Sequence, residues 1–269
     1  MRGLSFVLVL VAASPAVAFT LELDGQFVQG GLIRGQTEVG AIVSFEGRQV
    51  RVSPKGIFLI GFSRDANSPA KLIVQYADGS REARTLIVAK RSYDIQRIDG
   101  LAPALVTPPP DVFERIQREN ARIRLVRNRD TPQPLFESGW IWPAQGRISG
   151  VYGSQRILNG EPRQPHYGVD ISAPVGSPVV APAAGIVALA ANDMYFSGGT
   201  LILDHGHGLT SAFLHLSRIL VQEGETVDRG TPIAKIGATG RATAAHLDWR
   251  INLFGARLDP ALLFDPVAQ

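Results

Sequence analysis

The chain has 269 residues, 45% of them hydrophobic and 19% charged, which is enough for one large or two ordinary domains with real cores and argues against disorder. Its formal charge of +3 falls to +2 if Arg2 leaves with a cleaved leader, too small a balance to mark a nucleic-acid partner. Having no cysteine excludes disulfides, thiolate metal ligands, a cysteine nucleophile and lipidation at cysteine, so any metal must be held by nitrogen and oxygen.

Residues 1–18 combine Arg2, an apolar run from Leu4 to Ala13, and the small-x-small pattern Ala16-Val17-Ala18 before Phe19, which predicts a secretory signal peptide. The run is shorter than the roughly 20 residues that span a bilayer. The expectation is therefore an exported protein, periplasmic or in the cell envelope, soluble after cleavage and without a stable membrane span. Over 19–105, short runs such as Ala41-Ile42-Val43, Ile57-Phe58-Leu59-Ile60, Lys71-Leu72-Ile73-Val74 and Thr85-Leu86-Ile87-Val88 alternate with glycine-rich turns, and Asp78-Gly79 is a hairpin signal. This spacing predicts a small β-sandwich, a docking or spacer module without a catalytic cluster.

Segment 106–138 is a proline-rich linker and helix. Thr107-Pro108-Pro109-Pro110 must be extended, and the Asp111-x-x-Glu114 capping box with Val112, Ile116, Ile123 and Val126 predicts a helix over 111–127. Its arginines suit a solvated face. From 139 to 269 the pattern returns to strands, at Val179-Val180, 185–187, 200–203, 211–214 and 232–236, with no helix-strand alternation. The predicted class is all-β: an N-terminal sandwich, a short helical linker and a C-terminal antiparallel β domain.

All five histidines lie between residues 166 and 246. His246 and Asp248, two apart in a strand, point to one face. His166 and Asp170, four apart, converge only if the chain bends between them. Taken singly, each pair is better explained by a structural histidine or a surface acid. His205 and His207, flanking Gly206 in a turn, take a structural role.

Taken together, His166-Tyr167-Gly168-Val169-Asp170, Ala173-Pro174-x-Gly176-x-Pro178-Val179, His205-Gly206, His215-Leu216-Ser217, Gly224-x-x-Val227-x-x-Gly230 and Thr239-Gly240 leading into His246 resemble the M23 family of zinc metallopeptidases, the lysostaphin and LytM-type peptidoglycan endopeptidases. The resemblance covers Gly150 to Asp248. It implies one Zn2+ held by His166, Asp170 and Asp248, with His215 and His246 as catalytic histidines that orient water, take its proton or steady an oxyanion. It further implies peptidoglycan peptides as substrate and envelope proteins as regulators. At position 248 the family has histidine. Carboxylate oxygen is an accepted zinc ligand, but a second carboxylate neutralises the ion formally and implies a less acidic bound water. On this basis alanine at 248 loses the metal and histidine keeps it. Loss of a family ligand also fits a degenerate, non-catalytic binding or activator module for cell-wall hydrolases.

Overall fold

The computed structural model describes residues 21–100 and 109–264. The expected signal peptide, and the linker residues up to Pro108, lie outside them. Among the described residues no helix is long and apolar enough to cross a membrane.

The N-terminal half is built from β1 (Glu22–Gly25), β2 (Leu32–Gln36), β3 (Ile42–Phe45), β4 (Arg48–Val50), β5 (Ile57–Gly61), β6 (Ala70–Gln75) and β7 (Arg81–Leu86). Two antiparallel sheets, ordered β1-β2-β5 and β4-β3-β6-β7, face each other as the alternating patterns predict. Ile33, Phe58 and Ile60 of the first meet Val43, Leu72, Val74 and Leu86 of the second in one core. Asp78-Gly79 turns β6 into β7, with Gly79 at φ 84°.

In chain order the remainder is β8 (Ile95–Ile98), helix α1 (Phe113–Arg127), β9 (Arg147–Gly150), β10 (Gln155–Leu158), β11 (Glu161–Pro162), β12 (Val169–Ser172), β13 (Pro178–Val180), β14 (Gly185–Met194), β15 (Gly198–Gly206), β16 (Leu209–Ile219), β17 (Thr226–Val227), β18 (Pro232–Ile236), β19 (His246–Leu253) and β20 (Ala256–Leu258). The large sheet runs β17-β14-β15-β16-β19-β12-β9, with β13, β18 and β20 attached off this path.

Asp111 does not cap the helix. Pro110–Val112 instead form a 3-10 turn, no side chain caps either element, and the Val112 and Phe113 N–H groups donate to the carbonyls of Pro109 and Pro110. Backbone turn bonds have satisfied donors that a capping box would otherwise serve. Ile123 and Val126 then pack α1 onto Ala188, Leu189, Met194, Ile202, Ala212 and Leu214, on one face of the large sheet. The arginine face is paired with acids: Arg115 with Glu119 and Asp193, Arg118 with Glu114, Arg122 with Glu223.

The two halves share a strand. Along β5, Phe58 and Ile60 enter the sandwich core, while Ile57 and Leu59 enter the larger core with Phe136, Leu253 and Leu258. An unbroken apolar run is what a strand buried on both faces requires. Polar ties surround it: Arg51 with Asp130, Arg91 with Asp259, and Arg64 Nε donating to the Gly153 carbonyl at 2.9 Å. β8 also adds in parallel to β10, just upstream of His166.

Leu59→Ala should therefore cost about 2–5 kcal/mol and act on both halves. All three tryptophans (Trp140, Trp142, Trp249) lie in the C-terminal half, so the measurement is denaturant unfolding followed by both tryptophan fluorescence and far-UV circular dichroism. The expected result is one transition, shifted equally in both signals.

Candidate metal centre

The centre is set by strand register. β12 and β19 pair antiparallel with Asp170 opposite Asp248 and Ser172 opposite His246, so two carboxylates face each other on one side of the sheet. Directly opposed side chains have Cβ atoms about 4.5–5.5 Å apart, and like charges there repel. His166 reaches the same place from the loop before β12, bent back by its own N–H donating to the Ser154 carbonyl at 2.8 Å. Its Nε2 lies 3.3 Å from Asp170 Oδ1, and His246 Nε2 lies 3.8 Å from that same oxygen. One donor atom from each of His166, Asp170 and Asp248 falls within 4.8 Å of the others.

Two glycines allow the approach. A Cβ at Gly168 would stand 2.6 Å from Asp248 Oδ1 and 2.5 Å from the Trp249 carbonyl; one at Gly150 would stand 2.1 Å from Asp170 Oδ2. Only a residue without a side chain fits where the loop crosses β19 and where β9 lies against Asp170.

His215 arrives by a device of its own. On β16, Phe213 and Leu216 both enter the core while Leu214 faces the helix side, so the two-residue alternation slips by one. The pairing with β15 shows the slip, stepping from Leu201↔Phe213 to Gly199↔Leu216. His215 is the extra residue of this bulge, at φ 65°, in the left-handed region. Its Nδ1 sits 2.8 Å from the Thr239 carbonyl, and its ring centroid lies 4.8 Å from that of His246. His246 Nδ1 is likewise 2.9 Å from the Ala244 carbonyl. Each bond makes Nδ1 the N–H donor and leaves Nε2 as the free acceptor.

Electrostatics follow from burial and neighbours. Burial disfavours the His166 cation, but Asp170 and Asp248 outweigh it and raise its pKa above the ordinary imidazole value. Burial, with help from His246 and Arg250, lowers that of His215, which is neutral at pH 7. Burial also opposes the Asp248 charge, yet Arg250 wins, and the carboxyl stays below its usual range. The Arg250 guanidinium lies against both Asp248 oxygens, with Nε at 2.9 and 3.0 Å and Nη2 donating to Oδ2. Arg250 lies outside every sequence block that carries the family resemblance, which ends at Asp248.

The donor set fits a divalent cation. His166 Nε2 and Asp170 Oδ1 are buried without a hydrogen-bond partner, a costly state that a cation between them removes. One imidazole and two carboxylates are hard-to-borderline donors of the kind zinc accepts, and two further imidazole Nε2 atoms stand alongside. His205 and His207 belong elsewhere. His205 Nδ1 donates to the Ala184 carbonyl at 2.7 Å and Nε2 accepts from Ser211 at 2.6 Å, and burial depresses its pKa to about 4. His207 Nε2 donates to the Pro132 carbonyl.

The left-handed backbone at position 215 makes a comparative prediction. His215→Gly should be more stable than His215→Ala by about 1 kcal/mol, although glycine normally weakens a strand. Equilibrium denaturation of the two variants measures the difference.

The family model described as "Peptidase family M23" matches residues 164–260. Peptidoglycan DD-endopeptidase ShyA of Vibrio cholerae is 34% identical over 144 residues, 53% of this chain and 33% of that protein. Murein hydrolase activator NlpD of Escherichia coli is 30% identical over 123 residues, 46% of this chain and 30% of that protein. The chain thus spans about a third of these curated relatives. The crystal structure of a Pseudomonas aeruginosa chain assigned to peptidase M23 superimposes with a TM-score of 0.70 at 32% identity, covering 88% of this chain and 95% of that one.

Proposed function

The chain belongs to peptidase family M23, and from that premise we propose that it is an exported zinc-dependent endopeptidase that hydrolyses peptide cross-links in peptidoglycan. The observation that carries this reading is the Asp170 and Asp248 pair facing each other beside His166, with His166 Nε2 and Asp170 Oδ1 buried 3.3 Å apart and without a well-directed hydrogen bond. Like charges at paired strand positions are otherwise a defect. Similarity to ShyA supports peptidoglycan as substrate. The leader-like residues 1–18 and a similarity to outer membrane antigenic lipoprotein B of Histophilus somni, 34% identical over 129 residues, support export. We assign residues 139–269 to the peptidase unit and the sandwich over 19–105 to docking.

His166, Asp170 and Asp248 would hold the ion. Zinc, when bound, supplies Lewis-acid polarisation of a carbonyl and acidifies water at neutral pH. The chain's own contribution is proton handling beside the ligands. Neutral His215, its Nδ1 proton committed to Thr239, can accept a proton from water at Nε2. His246, fixed by Ala244, presents Nε2 from the other side of the pair, where it can orient that water or return a proton to the leaving amine. Both roles depend on backbone carbonyls fixing the tautomers, as carbonyls do for ligand histidines.

One observation favours a second reading, a non-catalytic activator of other envelope hydrolases like NlpD by name. Arg250 gives Asp248 a cation from within the protein, so the site is partly satisfied without a metal. Digestion of isolated peptidoglycan by the purified protein, with analysis of the released peptides, separates the two. The endopeptidase reading predicts cleavage that Asp170→Asn lowers at least about 100-fold without loss of fold. If the protein cuts nothing, yet stimulates a separate hydrolase equally well with Asp170→Asn, the activator reading stands instead.

A further inference from the structure

Asp248 stands where the family resemblance expects an imidazole, and the exchange changes the site's charge by one unit. The residue two positions further along β19 answers that change. Alternation along the strand puts His246, Asp248, Arg250 and Asn252 on one face. Arg250 lies directly across β16 from Ala212, whose small side chain leaves room for the guanidinium to fold back along its own strand. It contacts both oxygens of Asp248 while that side chain is only 4% exposed. Among the described residues Asp248 is the only carboxylate with which Arg250 forms an ion pair, and the nearby Arg257 is turned aside, its Nη1 donating to Asn252 Oδ1 at 2.6 Å.

We propose that Arg250 is the counter-charge that balances Asp248 in the metal-free site, so that an aspartate is tolerated where the family has an imidazole. The inference rests on the metal-centre reading given above. His166, Asp170 and Asp248 with Arg250 carry a net charge of −1, the same as two imidazoles and one carboxylate. Arg250 would therefore offset the excess negative charge that a second carboxylate brings to the ligand set.

Geometry also assigns the ligand atom. A carboxylate offers about four lone-pair positions. Arg250 addresses Oδ2 twice and Oδ1 once. Oδ1 is the oxygen beneath Gly168, in the turn that joins His166 to Asp170. With one Arg250 contact against two at Oδ2, Oδ1 is the oxygen left with more room to accept a cation. Arg250 is thus a positioning residue: it acts through Asp248 and touches neither substrate nor metal.

This reverses the expectation that histidine at 248 simply keeps the metal. With Asp248→His, Arg250 becomes a buried cation without its partner, next to the place where a second cation must bind. Arg250→Gln does the opposite and leaves a buried carboxylate without its ion-pair partner, a state that a bound cation relieves.

The test uses zinc affinity by chelator competition and the melting temperature of the metal-free protein, for wild type, Arg250→Gln, Asp248→His and the double variant. Arg250→Gln should bind zinc at least tenfold more tightly and melt lower without metal. Asp248→His should bind at least tenfold more weakly, and adding Arg250→Gln to it should restore affinity to within threefold of wild type. Zinc binding by Asp248→His as tight as wild type, or an Arg250→Gln protein unchanged in both affinity and metal-free melting, would overturn the inference alone. Failure of all four proteins to bind zinc would overturn the metal-centre reading and this inference with it.

Discussion

Two carboxylates held face to face on neighbouring strands are the constraint from which the rest of the site follows. The β12 and β19 register puts Asp170 opposite Asp248, and a slip of β12 by one residue would turn Asp170 to the core face where Val169 and Ile171 now lie, away from Asp248. Val169, Ile171, Leu247 and Trp249 are almost wholly buried, so the packing of the core face holds the acids on the other one. The repulsion is then met by cations and by imidazoles. Arg250 takes Asp248, and His166 and His246 approach the Oδ1 atom of Asp170. In electrostatic terms the site is a place for positive charge that the protein fills only in part.

The surroundings keep this arrangement in place. β9 covers Asp170 from the sheet edge and needs glycine at 150 to do so, while Gly168 lets the His166 loop lie on β19. Thr239 ties the loop before β19 to His215 through its carbonyl and to β16 through its hydroxyl, which donates to the Leu216 carbonyl. The sandwich is not remote from this. Arg64, Arg91 and Tyr93 contact Gly153, Asp259 and Tyr152, and β8 pairs with β10 at the start of the loop that delivers His166. The N-terminal half therefore supports one wall of the candidate site as well as sharing β5 with its core.

Much of this is legible in the sequence, because strand alternation and short spacing carry it. His246 and Asp248 share a face by period two, and the all-β class follows from short runs punctuated by glycine. That same period places Arg250 on the face of Asp248, but an arginine on a strand looks like a solvated residue until its partner is known. His215 could not be placed by pattern: its bulge adds a residue without the glycine or asparagine that usually marks a left-handed position. The run Ile57-Phe58-Leu59-Ile60 gave the strand but not its double burial, since an apolar run does not say which two cores it divides. At the helix start, Asp111 and Glu114 matched a capping pattern, but backbone turn bonds after Pro109 did the capping.

The site as proposed holds a cation between His166, Asp170 and Asp248 while Arg250 keeps its hold on Asp248. Diffraction from zinc-loaded crystals, recorded above and below the zinc absorption edge, tests this directly. The expected map has one anomalous peak at ligand distance from His166 Nε2, Asp170 Oδ1 and Asp248 Oδ1, with the Arg250 guanidinium still on Asp248 Oδ2. A map without a peak there, or with zinc bound only by other residues, would contradict it.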